Sequence, residues 1–131
     1  MDKTLNKQTV NTIPKVTIDT KGTSFKFVQV KGPTGEMYIY GSSQFASHQG
    51  QFEDGFLTQV AKVDFAFDSD KTRRKIEGFE CMGGGRITID ANKKTVTVSE
   101  YSRDYGIYES GVVKTLLNAY VNENMPGFVF K

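Results

Sequence analysis

Phe79-Glu-Cys-Met-Gly-Gly-Gly-Arg86-Ile-Thr-Ile-Asp90, followed by Ala91-Asn-Lys-Lys94 and Thr95-Val-Thr-Val-Ser-Glu-Tyr101, is the stretch from which the fold is read. Its Ile87–Asp90 portion alternates apolar and polar side chains, the mark of a half-buried strand. The polar Ala91–Lys94 cluster turns the chain, and the β-branched run after it alternates again. These two runs are therefore expected to pair antiparallel. Gly83, Gly84 and Gly85 place a backbone without Cβ atoms inside the first strand, where another group can approach closely. Arg86 follows them with a planar guanidinium suited to a phosphate.

Upstream, Lys15–Asp19 reads as a short strand and Thr20–Gly22 as a turn. Ser24–Lys31 (SFKFVQVK) is apolar on both parities, which predicts a central strand. Gly32–Gly35 is a turn signal, and Glu36–Gly41 is the next strand. From Ser47 to Val63 apolar residues fall at Phe52, Phe56, Leu57, Val60 and Val63, a helical spacing. Gly50 and Gly55 weaken the local propensity, so packing must hold this helix. Asp64–Glu77 is charged and irregular and reads as an inserted loop. Downstream, Val112, Val113, Leu116, Leu117, Tyr120 and Val121 form one stripe of a second helix spanning about residues 108–122. Phe128–Phe130 can add an edge strand. The order β-β-β-α-β-β-α-β predicts an α+β fold, a mixed six-stranded sheet with two helices.

With 131 residues and 14.6 kDa, the chain can bury a real core, and ten Phe and six Tyr supply it. Residues 1–12 read as a polar arm and 13–131 as a single domain. Seventeen basic residues against 15 acidic ones leave a net charge of +2, without the clustered excess that nucleic-acid binding requires. A lone cysteine cannot close an internal disulfide, which suits a reducing compartment. The polar start lacks a signal-peptide apolar run, and no stretch is long enough to span a membrane. A cytoplasmic monomer that binds neither membrane nor nucleic acid is the expectation.

Four features bear on chemistry, each with a bland alternative. His48, the only histidine, precedes a helical pattern, where free first-turn amides favour an anion and an imidazole can take a proton from water. Taken alone it reads better as a surface or half-buried histidine with no role. Lys26 within an apolar strand is either a fixed charge for a phosphate or a lysine that reaches out to water. The triple glycine admits a ligand or a closely packed neighbour. Ser102, in Tyr101-Ser-Arg-Asp-Tyr-Gly106, binds phosphate oxygens or caps a turn. Four residues separate Cys81 from Arg86, one short of the five in the thiolate-phosphatase spacing, and the segment leads into a strand rather than a helix. It reads as a buried small hydrophobe, not a nucleophile. Asp64, Asp68 and Asp70 lack the rest of a calcium loop, so no metal and no cofactor are expected. Lys71, Arg73, Arg74 and Lys75 read as a solvated basic cluster, with partner docking as the minor option.

Taken together, these motifs resemble the Janus/Ocnus family. The resemblance rests on IPKVTID and FKFVQV, the Gly41-x6-His48 spacing, ECMGGGRI, and YSRDYG ahead of the second helix, over about residues 13–122. It implies removal of phosphate from phosphohistidine, and from some other phosphoramidates such as phospholysine, without a metal. It further implies that His48 is the general base for the attacking water and that Lys26 contacts substrate. Arg86 and the turn Ser102, Arg103 and Asp104 would bind the phosphate, with the backbone at Gln49 joining His48 at the helix start. Protein or peptide phosphohistidine would be the partner. Arg103-Asp104 replaces two apolar residues of the family's phosphatase, and the Asp64–Glu77 segment is longer than in that enzyme. A non-catalytic, phosphate-recognising regulatory module is the alternative reading.

Overall fold

The computed structural model describes residues 13–66 and 73–131. The expected arm at 1–12 and the middle of the charged loop lie outside these. Strands β1 (Val16–Ile18), β2 (Ser24–Lys31) and β3 (Met37–Gly41) lead into helix α1 (Gly50–Val60). Strands β4 (Lys75–Ile76), β5 (Phe79–Asp90) and β6 (Thr95–Ser99) follow, then helix α2 (Ser110–Asn124) and strand β7 (Val129–Phe130). The strands form one mixed sheet in the order β1-β3-β2-β5-β6-β7, with β4 added beside β5. The α+β expectation is met, and β4 is the element it lacked. A two-residue strand carries no alternation to read, and its pairing partner is fixed by the tight turn at Glu77 and Gly78, both at positive φ (51° and 86°).

β2 is central, as its doubly apolar parity predicts: it pairs antiparallel with both β3 and β5. Its alternate side chains serve two separate cores. Val28 and Val30 pack with Phe52, Phe56 and Leu57 of α1, while Phe25 and Phe27 pack with Val113, Leu117 and Val121 of α2. The sheet is thus sandwiched between the two helices, and burial of this kind is worth roughly 1.5–3 kcal/mol per large apolar side chain.

α1 has the i→i+5 winding of a π-helix over 11 residues, an uncommon geometry. Its buried Phe52, Phe56, Leu57 and Ala61 repeat at four- and five-residue steps accordingly. Gly55 is needed for contact: a Cβ there would stand 2.3 Å from the Tyr40 ring on β3. Helical backbone begins at His48 and Gln49, so Ser47 is the cap. The Ser47 hydroxyl accepts the Gly50 N–H (2.9 Å) and its carbonyl accepts that of Gln51 (3.0 Å).

Candidate functional site

The site begins with the register of β2 against β5, which sets Lys26 directly opposite Arg86. Directly opposed residues share a face of the sheet, and alternation from Val28 places both on the α1 side. Both are half-buried. Opposed like charges destabilise a strand pair. Arg86 is partly compensated: its Nε donates to the Glu100 carboxylate (3.3 Å) and a terminal nitrogen donates to the Ser24 hydroxyl (3.1 Å). Glu100 is well exposed, so this ion pair is weak.

His48 lies against the same strand and is only 8% exposed. Its Nε2 is 2.9 Å from the Gly85 carbonyl. A carbonyl only accepts, so Nε2 carries the proton, and in the neutral ring Nδ1 keeps the lone pair. Burial lowers the imidazole pKa below the ordinary 6.5. The Gly85 bond opposes that shift, the charges of Lys26 and Arg86 add to it, and Asp104 opposes it. His48 is therefore neutral at pH 7 and can accept a proton at Nδ1.

The triple glycine is filled by the protein itself. A Cβ on Gly84 would lie 2.7 Å from Cδ2 of His48 and 2.6 Å from the Phe27 carbonyl. On Gly85 it would meet Tyr108 at 2.7 Å, and on Gly83 (φ 156°) the Ile107 carbonyl at 2.4 Å. Of the two sequence readings, close packing is the one observed, and at Gly84 the neighbours are the Phe27 carbonyl and the histidine ring.

The turn Ser102–Gly106 borders the same glycines, because Gly84 N–H donates to the Gly106 carbonyl (3.1 Å). Ser102 is buried and caps this turn: its Oγ accepts the Tyr105 N–H (3.1 Å), a bond that does not use the hydroxyl hydrogen. Reciprocal backbone bonds between Ser102 and Gly106 close the loop. Arg103 is exposed and Asp104 half-buried.

At the helix start the arrangement differs from the simplest expectation. Ser47 takes the Gly50 and Gln51 amides, which leaves His48 and Gln49 as the first-turn amides that a helix cannot satisfy internally. The Gln49 side chain is turned away to Glu53 (3.3 Å). Gln51, fully buried, holds the loop before His48 by bonding the Ser42 and Phe45 carbonyls (2.7 and 2.8 Å) and accepting the Ser42 N–H (2.9 Å). The sequence reading starts the helical pattern at Ser47 without giving it a capping role and assigns none to Gln51; a serine three residues before Gly50 is the one available signal for the cap.

Cys81 is buried in the α1-side core, its thiol pushed up to about 12 by burial. A thiol so protonated is no nucleophile, as expected. Among the described residues no helix is long and apolar enough to cross a membrane.

The site's pieces, then, are a neutral base against a glycine strand, two opposed cations, and a capped turn. No curated protein matches the chain at a significant level. The family model for the Janus/Ocnus family matches residues 10–124, which include every one of these pieces. The chain therefore belongs to the Janus/Ocnus family.

Proposed function

We propose that this protein is a phosphohistidine phosphatase that hydrolyses the P–N bond without a metal. The observation that carries the reading is Lys26 opposite Arg86 on the face that also holds His48. Two cations in direct opposition are unfavourable alone and favourable around a shared dianion. The phosphoryl group would sit between them, with the His48 and Gln49 amides and the Ser102 turn on its other sides.

Nδ1 of His48 takes a proton from a water as its oxygen attacks phosphorus. The P–N bond breaks as the new P–O bond forms, and the leaving imidazole departs neutral when its other ring nitrogen carries a proton. Fixed positive charge stabilises the phosphoryl oxygens through the transition state. Phosphohistidine in a protein or peptide is the substrate, and phospholysine is a candidate second one.

Release of inorganic phosphate from a phosphohistidine peptide in EDTA, wild type beside His48→Ala, tests this. Turnover that falls by about 10²–10⁴ in a folded His48→Ala protein is expected. Equal turnover in the two would refute His48 as the base. The Arg86–Glu100 ion pair, which occupies one cation, favours the second reading, a phosphate-recognising module without turnover. Phosphopeptide binding with no phosphate release by the wild type would establish that reading instead.

A further inference from the structure

We propose that Arg73 and Arg74 are positioning residues that fasten the two walls of the site to each other; the effect on turnover rests on the phosphatase reading. After α1, Val63 and Phe65 pack into the α1-side core, and the segment returns at Arg73 to run into β4. The two neighbouring arginines then reach in different directions. Arg74 donates from its two terminal nitrogens to consecutive carbonyls of the Ser102–Gly106 turn, Tyr105 (3.2 Å) and Asp104 (3.5 Å). Arg73 donates to the Ala66 carbonyl (3.1 Å) and pairs with Glu53 of α1 at 3.9 Å. Glu53 is buried and accepts from Gln49, the neighbour of His48.

One dipeptide thus joins the turn that carries Ser102 to the helix start that carries His48. A guanidinium is the right group for this task. Its rigid fork addresses two carbonyls at once, which a lysine's single nitrogen does not do in the same geometry. The join is made at some expense: among the described residues, Arg73 Nε and Tyr105 Oη are buried without a hydrogen-bond partner. Unpartnered groups of that sort call for a reason, and both lie on residues of this clamp. The basic cluster, read from sequence as a solvated surface, contributes these two arginines to the architecture of the site.

The test uses the full chain with Arg74→Met and Arg74→Lys, and Lys75→Met as a control for nearby charge. Hydrogen exchange of the Tyr105 and Gly106 amides, which bond Ser102, reads the turn directly. Both Arg74 variants are expected to exchange about tenfold faster at these amides and to bind inorganic phosphate about tenfold more weakly, with little change in melting temperature. Lys75→Met should match wild type in all three. On phosphohistidine peptide the Arg74 variants should show raised KM. Unchanged exchange and phosphate affinity would overturn the proposal, as would an Arg74→Lys protein indistinguishable from wild type, since charge alone would then suffice. A wild type that releases no phosphate would refute the phosphatase reading, while exchange and phosphate binding would still decide the clamp.

Discussion

Replacing Gly84 with alanine tests the link between the glycine strand and the base. The new methyl group would stand 2.7 Å from His48 Cδ2, 3.1 Å from Nε2 and 2.6 Å from the Phe27 carbonyl. Both neighbours must give: the carbonyl belongs to the adjacent strand, so the β2–β5 ladder is strained, and the imidazole is displaced as well. Overpacking of this sort costs about 1–3 kcal/mol, and loss of the bond to Gly85 about 0.5–1.5 kcal/mol more. A total of about 2–4 kcal/mol corresponds to a melting temperature lower by on the order of 10 °C in a domain of this size. On the proposed mechanism, activity should fall further than stability explains, by about 10²-fold or more, because the proposed base would no longer face the phosphoryl group. The chain's single histidine makes the assay clean: one imidazole resonance titrates in the NMR spectrum. In wild type it titrates below 6.5, and in Gly84→Ala it should move up toward that value as the ring gains solvent. Gly85→Ala is the matched control, since its methyl group meets Ser99 and Tyr108 instead. It should destabilise comparably and leave the titration nearer wild type. A Gly84→Ala protein whose histidine titrates as in wild type would refute the reasoning, as would one shifted no more than Gly85→Ala.

Three further outcomes are expected. Because His48 has a lowered pKa in the folded state, its contribution to stability is complete above pH 6.5 and is lost as pH falls through the folded value. Thermal melts across that range should fall more steeply for wild type than for His48→Gln, and parallel curves would contradict the burial argument. Tyr105→Phe removes a buried hydroxyl that has no partner among the described residues, so urea unfolding should show it neutral or stabilised; a loss above about 1 kcal/mol would reveal a bond the geometry lacks. Native protein treated with iodoacetamide should keep both its mass and its phosphate release, given a buried Cys81 thiol held near 12, and rapid alkylation with inactivation would overturn the exclusion of that residue.

Much of the sheet was legible because strand signals here are local. Ser24–Lys31 and Phe79–Asp90 were read at their observed limits, and the doubly apolar parity of the former correctly made it central. α2 was legible from its stripe, within two residues at each end. The reading of α1 starts at its observed cap, Ser47, runs three residues past its end and takes it for an ordinary helix, since a π winding depends on packing against Tyr40 and on Gly55 rather than on propensity. Of the site, Lys26, His48, Arg86 and Ser102 were each ambiguous alone, and what makes Lys26 and Arg86 a pair is a register between residues 60 apart, which no local pattern contains. Gln51 escaped notice because a buried glutamine that bonds loop carbonyls looks, in sequence, like a polar residue on a helix surface. Arg73 and Arg74 escaped for a similar reason: a run of charge reads as solvated until its acceptors are known.

The glycines also divide β5 by the distance of its partners along the chain. Its first part pairs with β4 across a two-residue turn, and its last part, Arg86–Asp90, pairs with β6 across the short Ala91–Lys94 turn. Gly83–Gly85 lie between these hairpins and are laddered to Phe27, Val28 and Gln29, more than fifty residues earlier. Local hairpins close quickly and cheaply in entropy, whereas a distant pairing must wait for the chain to fold back. The two hairpins can therefore form before the middle of the strand is laddered to β2; the imidazole finds its seat on that middle, and Lys26 meets Arg86 at its border. The candidate site lies on the closing seam of the molecule, so it comes into being only when the whole sheet does.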